Sequence, residues 1–332
     1  MTGEDRPSFL ITIDTEGDDL WSRPRAITTE NARHLFRFQA LAESHGLKPT
    51  YLATYEMAAA PAFLELGKDI LKRRTGEVGM HLHAWNTPPL VPLTGDDFVH
   101  RPYLIEYPLR IMEQKVAAVT DLLEERFGVT MVSHRAGRWS FNGAYARVLE
   151  ARGYRVDCSV TPHVSWKGHR GAPSGNGGTD YSMFPAGAYF MDLDDISRPG
   201  TSILLEVPMT IVPATGLQVR WLRGPAARHP LASGALNRFF PAVHWLRPNG
   251  RNREQMLSIV RDAASGKTPY IEFMLHSSEL MPGGSRRFPG DRHIEALYRD
   301  MDVVFAAAHE RFVGATLNEY YHKVGVVRLQ SV

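Results

Sequence analysis

The chain has 332 residues, enough for one large α/β domain or two small ones, and its 43% hydrophobic and 22% charged content excludes global disorder. A net charge of +2 argues against nucleic acid as the main partner, and the single Cys158 excludes an internal disulfide or a cysteine-based zinc cluster. The sequence shows no apolar signal segment at its start and no apolar run near ~18 residues, so we expect a cytoplasmic protein without a transmembrane segment.

Strand-like and helix-like segments alternate along the chain, which predicts a parallel sheet or a closed barrel. The predicted strands are Phe9–Ile13, Pro49–Thr54, Glu77–His83, Val129–Ser133, Arg155–Val160, Ser202–Val207 and Tyr270–Leu275. The predicted helices are Thr28–His45, Pro61–Arg74, Pro108–Phe127, Asn142–Arg152, Arg251–Ala264 and Asp291–Phe312. Helical periodicity places Leu109, Met112, Val116, Val119 and Leu123 on one face of the third of these.

Two stretches interrupt this alternation. Residues 161–185 are rich in Gly, Pro and Ser, which predicts a long loop that acts as a lid or binding loop. Residues 207–253 hold seven Arg and no Asp or Glu. This Arg-rich insertion is either a solvated face balanced by acids elsewhere or an anion-binding cap, since Arg suits phosphate and carboxylate. No linker or repeat divides residues 1–332, so we expect a single domain.

The first predicted strand ends in four carboxylates, Asp14, Glu16, Asp18 and Asp19. Because burying an unpaired charge is costly, these side chains are expected where the strand leaves the sheet. In α/β folds the carboxyl ends of strands are the places where sites are built. A solvated acidic turn is the alternative interpretation.

A pair of histidines, His81 and His83, closes the third predicted strand. Residues two apart on a strand project from the same face, so both imidazoles can approach one metal ion. Two histidines and one carboxylate with an open position describe a catalytic zinc or non-haem iron site. Either Glu16 or Asp18 can supply the carboxylate, and a purely structural histidine pair is the alternative.

Three later strand ends also carry polar residues, namely Arg135, Asp157 and His276. An Arg beside Asp14 would keep that carboxylate ionised. Each residue has a structural alternative: a surface Arg, a loop cap, or a core histidine with satisfied hydrogen bonds. The succession of carboxylates, histidine pair, Arg, Asp and His, each at a strand end, favours a common site.

These residues give the chain a resemblance to the polysaccharide deacetylases of the NodB-homology type, and within them to the WalW-like subgroup associated with lipopolysaccharide and O-antigen biosynthesis. Five short motifs carry the resemblance in order, from Phe9 to about Glu279. They are Ile13–Glu16, Glu77–His83, Arg135–Trp139, Asp157–Ser159 and Leu275–Ser277. In the family the second motif has histidines four residues apart. Here Trp85 stands four after His81, so His83 is taken as the substitute.

The resemblance implies a distorted (β/α) barrel and assigns catalytic roles to particular residues. Asp14 would be the catalytic base, oriented by Arg135, and His276 the general acid, steadied by Asp157. A divalent metal would bind Glu16, His81 and His83, and zinc is the metal that we expect. The expected substrate contacts are Trp85, Trp139, Leu275 and Asp18, with Leu275 lining the acyl pocket.

The sequence therefore predicts a metal-dependent hydrolase that removes an N-acyl group from an amino sugar of a cell-surface polysaccharide or its precursor. Acetyl is the acyl group that we expect. The sugar can be nucleotide- or lipid-linked. Two alternatives stay open: a C–N hydrolase acting on a small non-sugar amide or a cyclic ureide, and a non-catalytic carbohydrate-binding homologue. Metal content and an assay on N-acetylated sugars separate the three.

Overall fold

The computed structural model describes residues 6–22, 26–169, 175–214, 242–266 and 268–330. Its strands are β1 (Ser8–Thr15), β2 (Pro49–Ala53), β3 (Glu77–Leu82), β4 (Ser133–Ala136), β5 (Val156–Asp157), β6 (Tyr189–Phe190), β7 (Leu205–Glu206), β8 (Ile211–Pro213), β9 (Val243–Trp245), β10 (Tyr270–His276) and β11 (Val313–Ala315). Its helices are α1 (Leu35–Ser44), α2 (Pro61–Arg73), α3 (Asp97–His100), α4 (Leu109–Phe127), α5 (Gly143–Ala151), α6 (Arg253–Ser265), α7 (Asp291–Arg311) and α8 (Leu317–Gln330).

Among the described residues, nine strands form one sheet in the order β10-β1-β2-β3-β4-β5-β7-β6, with β11 also beside β1. Neighbouring strands run parallel except β6 and β7. Every residue of β1, β2 and β3 is buried, as expected for parallel strands covered on both faces. The sheet curls into a half-barrel, and the predicted distorted (β/α) barrel is confirmed. None of the helices in the described ranges has the length and apolarity needed to cross a bilayer.

An irregular seam, made of residues 208–210 before β8 and 246–247 after β9, lies between β5 and β10, while β8 and β9 pair with each other in a separate two-stranded sheet. On one side, Met209 N donates to Val160 O at 3.0 Å. On the other, Glu272 N donates to Thr210 Oγ1 at 2.8 Å, and Met274 N donates to Leu246 O at 3.2 Å. Buried backbone groups need such partners. The seam therefore connects the residues after β5 with β10 without regular strand pairing.

A cluster of phenylalanines holds β1 and β10 against the helices. The ring of Phe305 on α7 lies 6.0 Å from Phe9, 6.1 Å from Phe38 and 5.1 Å from Phe273, each in edge-to-face geometry. Aromatic pairs of this geometry add to the free energy gained from burial. The two strands that deliver Asp14 and His276 are thus fixed to one packed layer.

The structure corrects several sequence predictions about single elements. The strand predicted at Val129–Ser133 begins at Ser133, because residues 129–132 carry the chain from α4 to the sheet and Met131 N bonds the Glu124 carboxylate at 2.9 Å. The helix predicted from Thr28 starts as a separate 3-10 turn, Glu30–His34. Leu109 is 52% exposed because it is the first helical residue, ahead of the turns that pack.

The described parts of the two irregular stretches belong to the surroundings of the site. Residues 161–169 and 175–185 include a bridge between Ser165 and Asp180 and a fully buried Tyr181. The role of this loop as a lid stays a prediction. Within the Arg-rich insertion, Arg247, Arg251 and Arg253 are described, whereas Arg220, Arg223, Arg228 and Arg238 lie outside the described residues.

The end of the barrel away from the strand carboxyl ends is held by the buried carboxylate of Glu77. This carboxylate accepts hydrogen bonds from Ser133 Oγ at 2.5 Å, Thr50 Oγ1 at 3.2 Å and Asn318 N at 3.0 Å. It therefore links β2, β3 and β4 to the first turn of α8. Burial raises the pKa of Glu77, and the hydrogen bonds oppose that rise.

We expect Glu77→Gln to lower the free energy of unfolding by about 1–3 kcal/mol, because the amide nitrogen cannot accept and one buried donor loses its partner. Urea denaturation followed by circular dichroism measures the loss. Glu65→Gln, on the exposed face of α2, is the matched control and should change stability by under about 0.5 kcal/mol. Equal midpoints for the two variants would contradict the structural role of Glu77.

Candidate active site

The sequence-predicted residues converge because of strand register. Asp14 pairs with His276 across β1 and β10, and His81 pairs with Arg135 across β3 and β4. A cavity of about 320 Å³ opens at this carboxyl end of the sheet. Its walls include Asp14, His81, His83, Tyr103, Arg138, Trp139, Trp166, His169, Arg247 and His276.

Glu16, His81 and His83 form a buried cluster with donor atoms close enough to share one cation. Nε2 of His83 lies 2.9 Å from Glu16 Oε2 and 3.2 Å from Nε2 of His81, and the third side of this triangle measures 3.8 Å. Ligand atoms on a tetrahedral zinc ion lie roughly 3.4 Å apart, given metal–ligand bonds of about 2.0–2.1 Å. The triangle thus has the size that a divalent cation requires.

The protonation of the two imidazoles also fits a cation. Nδ1–H of His81 donates to the carbonyl oxygen of Arg135 at 2.8 Å, which leaves the Nε2 lone pair directed at the cluster. Burial lowers the pKa of His81 to about 4 and that of His83 to about 3, so both rings are neutral at pH 7. A neutral imidazole is the metal-binding form.

Two features outside the cluster hold its members in place. Ser277 Oγ accepts from Glu16 N and donates to Glu16 O, both at 3.1 Å. A Cβ at Gly137 would lie 2.3 Å from Leu82 O and 2.6 Å from Nδ1 of His83. Because real Cβ contacts are never that short, only glycine lets the chain after β4 pass so close to His83.

Arg135 is fully buried and connects several strands through one guanidinium. Nη1 donates to Asp14 Oδ1 at 2.7 Å, Nη2 to Thr12 Oγ1 at 2.8 Å and to the Glu272 carboxylate, and Nε to Cys158 O at 3.0 Å. Burial alone would raise the pKa of Asp14, but Arg135, His81 and His276 outweigh it and hold that pKa well below its usual range. Asp14 therefore stays ionised.

His276 stands opposite Asp14 at the end of β10. Its Nε2 lies 3.6 Å from Asp14 Oδ2 and 3.9 Å from Glu16 Oε1. Arg247 Nη2 donates to its Nδ1 at 2.8 Å, and Glu279 Oε2 lies 3.6 Å from the same atom. Burial and Arg247 act to lower the pKa of His276, but the three carboxylates outweigh them and raise it.

The expectation that Asp157 steadies His276 was wrong. Asp157 Oδ1 lies 2.6 Å from Nδ1 of His134, and its carboxylate also accepts from the backbone N and the hydroxyl of Ser159. The reason is register, since β5 pairs Asp157 with His134 on β4 and leaves it on a strand that is not next to β10. The partners of the His276 ring are Arg247 and Glu279.

Asp18 is predicted from the sequence as a possible metal ligand or substrate contact, but its carboxylate oxygens accept hydrogen bonds from the protein backbone. They accept from Glu30 N at 2.8 Å and Asn31 N at 2.9 Å, and so cap the 3-10 turn before α1. The capping follows from the close return of the chain, where Asp18 N also donates to Thr28 O at 2.8 Å. Asp18 is thus assigned a structural role.

The three apolar substrate residues lie at different depths. Trp139 is 9% exposed and lines the site cavity, with the Arg135 guanidinium 4.9 Å from its ring. The ring of Trp85 lies 4.4 Å from that of His83 and faces a neighbouring cavity of about 420 Å³. Leu275 is fully buried in the hydrophobic core. Their contact with a substrate stays a prediction.

Two charged residues of the site, Glu272 and Glu279, were missed as functional residues from the sequence, and Arg247 was singled out only as one of seven possible anion-binding arginines. Glu272 interrupts the apolar run of β10, and that interruption was the available signal. Burial raises its pKa to about 7 against the influence of Arg135. Arg247 and Glu279 follow strand ends, but no local pattern in the sequence places them on the ring of His276.

No protein-family model and no curated protein sequence matches the chain. Among solved structures, a candidate polysaccharide deacetylase from Mycobacterium smegmatis aligns with a TM-score of 0.54 at 13% identity, over 98% of this chain and 92% of that one. The 4-α-glucanotransferase of Thermococcus litoralis gives 0.50 at 14% identity, over 96% of this chain and 40% of that one. The Xyl-CE4 domain of a xylanase from the hindgut metagenome of Trinervitermes trinervoides gives 0.46 at 11% identity, over 97% and 92%.

The chain therefore has the half-barrel fold of NodB-type deacetylases. A glucanotransferase aligns with it as well, so the fold alone does not determine the reaction. The chemistry has to be inferred from the side chains at the strand ends.

We expect His81→Ala and His83→Ala each to lose bound zinc, because either change leaves only two of the three ligands. Elemental analysis after dialysis against zinc-containing and then zinc-free buffer measures the stoichiometry. His309→Ala, which removes an exposed histidine of α7, is the control and should keep the wild-type content. Full zinc in His83→Ala would remove His83 from the ligand set.

Gly137→Ala should weaken zinc binding by about 10–100-fold, the usual effect of disturbing groups that orient a ligand. The added methyl group meets Leu82 O and the ring of His83, so one of them must shift. Competition with a zinc-sensitive dye gives the dissociation constants. Gly187→Ala is the control because a Cβ there meets nothing within 4 Å. Unchanged affinity in Gly137→Ala would show that the His83 position tolerates displacement.

Proposed function

We propose that this protein is a metal-dependent hydrolase that removes an N-acyl group from an amino sugar of a cell-surface polysaccharide or its precursor. Acetyl is the acyl group that we expect. One observation carries the proposal: an ionised Asp14 and a His276 with a raised pKa stand 3.6 Å apart beside the Glu16–His81–His83 cluster. The likeness of the fold to a candidate polysaccharide deacetylase supports the reaction class. The resemblance of the motifs to the WalW-like subgroup favours a lipopolysaccharide or O-antigen precursor.

Glu16, His81 and His83 would hold the divalent ion, with zinc favoured by the nitrogen and oxygen ligand set. When bound, such an ion acts as a Lewis acid that polarises the acyl carbonyl and makes water acidic enough to lose a proton near neutral pH. The cavity of about 320 Å³ is at the small end of the range for ligand sites, which suits one sugar unit with its acyl group.

Asp14 would act as the general base. Its carboxylate is ionised, and Arg135 fixes Oδ1, so Oδ2 on the His276 side is the oxygen directed at the reaction. Oδ2 takes the proton of the attacking water as the new carbon–oxygen bond forms. Glu272 and Thr12 hold the guanidinium from behind and so keep Asp14 oriented.

His276 would act as the general acid, because an amide nitrogen must gain a proton before it can leave as an amine. Nε2–H gives that proton to the nitrogen as the carbon–nitrogen bond breaks. The imidazolium also carries a proton on Nδ1, which needs an acceptor. Glu279 Oε2, at 3.6 Å, can accept it when Arg247 no longer donates to this atom.

The test is acetate release from an N-acetylated oligosaccharide by the zinc-loaded protein. Asp14→Asn and His276→Ala should each lower kcat by about 10²–10⁴-fold. Both variants should keep their zinc content, and His276→Ala should also keep its thermal stability. His276→Ala should regain activity on an activated acetyl ester, whose leaving group needs no proton, whereas Asp14→Asn should not.

Equal losses on amide and ester would remove His276 from the role of acid. Activity that persists in the zinc-free protein would favour the alternative of a metal-independent C–N hydrolase. A zinc-loaded protein that hydrolyses neither N-acetyl sugars nor acetyl esters would overturn the proposed reaction.

A further inference from the structure

Arg247 lies at the junction of three adjoining cavities. It lines the site cavity and two flanking cavities of about 480 Å³ and about 700 Å³. The 480 Å³ cavity shares Trp139, Trp166 and Arg247 with the site. A ligand that fills the site can therefore continue past Arg247 into this flanking cavity.

The flanking cavity of about 480 Å³ has the lining of a carbohydrate site. Trp139, Trp166 and Trp245 supply aromatic surface, and the rings of Trp139 and Trp245 lie 6.1 Å apart at 58°. Asn249 and Gln255 supply amide groups near the start of α6, whereas the Asn252 amide accepts from Asn249 N and donates to Arg247 O. Aromatic walls with a few placed polar groups are typical of ligand pockets.

The charged side chains that line this cavity are positive. Arg247 and Arg287 line it, and no Asp or Glu does so among the described residues. The two guanidiniums share one carboxylate, Glu279, which lies 3.0 Å from Arg247 and 3.6 Å from Arg287. Because one negative charge faces two positive charges, the cavity keeps an excess positive charge.

Among the described residues, both arginines have donors left for a ligand, including the buried Nε of Arg247. The hydrogen bonds of Arg247 to His276 and Glu279 both use Nη2. The Arg287 contact of 3.6 Å is too long for a hydrogen bond, and its side chain is 49% exposed. A guanidinium with free donors binds carboxylate or phosphate in two-pronged geometry.

We propose that the substrate is an acidic glycan, in which the unit next to the N-acyl sugar carries an anionic group bound by Arg247 and Arg287. The proposal rests on the function proposed above and names its substrate class. The N-acyl sugar occupies the site cavity, the next unit lies against the tryptophans, and its carboxylate or phosphate meets the two guanidiniums.

The test compares two N-acetylated tetrasaccharides that differ in one group. One alternates N-acetylglucosamine with glucuronate, and the other is the same compound with each carboxylate reduced to an alcohol. Wild type should prefer the uronate form in kcat/KM by about 10–100-fold, the worth of charge-assisted hydrogen bonds. Arg287→Gln should lose most of that preference. Arg251→Gln, an exposed neighbour that does not line the cavity, should keep it.

A second readout is independent of turnover. Calorimetry on Asp14→Asn should show the uronate tetrasaccharide binding about 10-fold or more tighter than the reduced one, and Asp14→Asn/Arg287→Gln should abolish the difference. Uridine diphosphate N-acetylglucosamine, compared with N-acetylglucosamine, tests phosphate as the source of the anion. A preference for either anionic probe that depends on Arg287 supports the proposal.

The outcomes separate this proposal from the proposed reaction. If the reduced tetrasaccharide is hydrolysed and no anionic probe is preferred, the reaction stands and the anion site is overturned. If nothing is hydrolysed but Arg287-dependent binding persists, the anion site stands and the reaction fails. If Arg287→Gln and Arg251→Gln lower the preference equally, general surface charge explains the preference and the anion site is overturned.

Discussion

The buried guanidinium of Arg135 is the constraint on which the site depends. Removing this charge from water is costly, and the cost is offset only because Asp14, Thr12, Glu272 and Cys158 O all accept from it. Loss of one partner from such a buried pair typically costs about 3–5 kcal/mol. The backbone carbonyl of Arg135 also orients His81. A single residue of β4 thereby positions both Asp14 and His81.

The sequence pattern was sufficient to predict which residues lie at the strand ends. It was not sufficient to predict the contacts between those residues. Apolar runs that end in Asp14, His81 and His276 predicted which residues would meet, because parallel register aligns strand ends. The partner of His276 could not be predicted, since Glu279 and Arg247 reach it from a 3-10 turn and from the irregular seam. Asp157 was misassigned because the curl of the sheet decides which strands face each other.

Buried carboxylates are the least predictable part of the structure. Glu272 and Glu77 each stand as a single acid among apolar or small residues, and Asp18 belongs to the run of acids at the end of β1. Their roles differ because of the donors that the fold brings to them: a guanidinium for Glu272, two hydroxyls and a helix N–H for Glu77, and two loop N–H groups for Asp18. Those donors come from up to 241 residues away along the chain, beyond the reach of any local pattern.

The irregular seam has a consequence for how the protein can diversify. Its hydrogen bonds to β10 use backbone groups and one threonine hydroxyl, and its Met209 and Leu246 side chains are buried in the core. Arg247, by contrast, extends into the cavities of the site. The proposed catalytic residues lie on or just after β1, β3, β4 and β10, beside the buried charge network of Arg135. Loops carried on a rigid scaffold tolerate exchange. Residues near Arg247 can therefore vary and change what the cavities recognise, while the proposed catalytic residues stay the same.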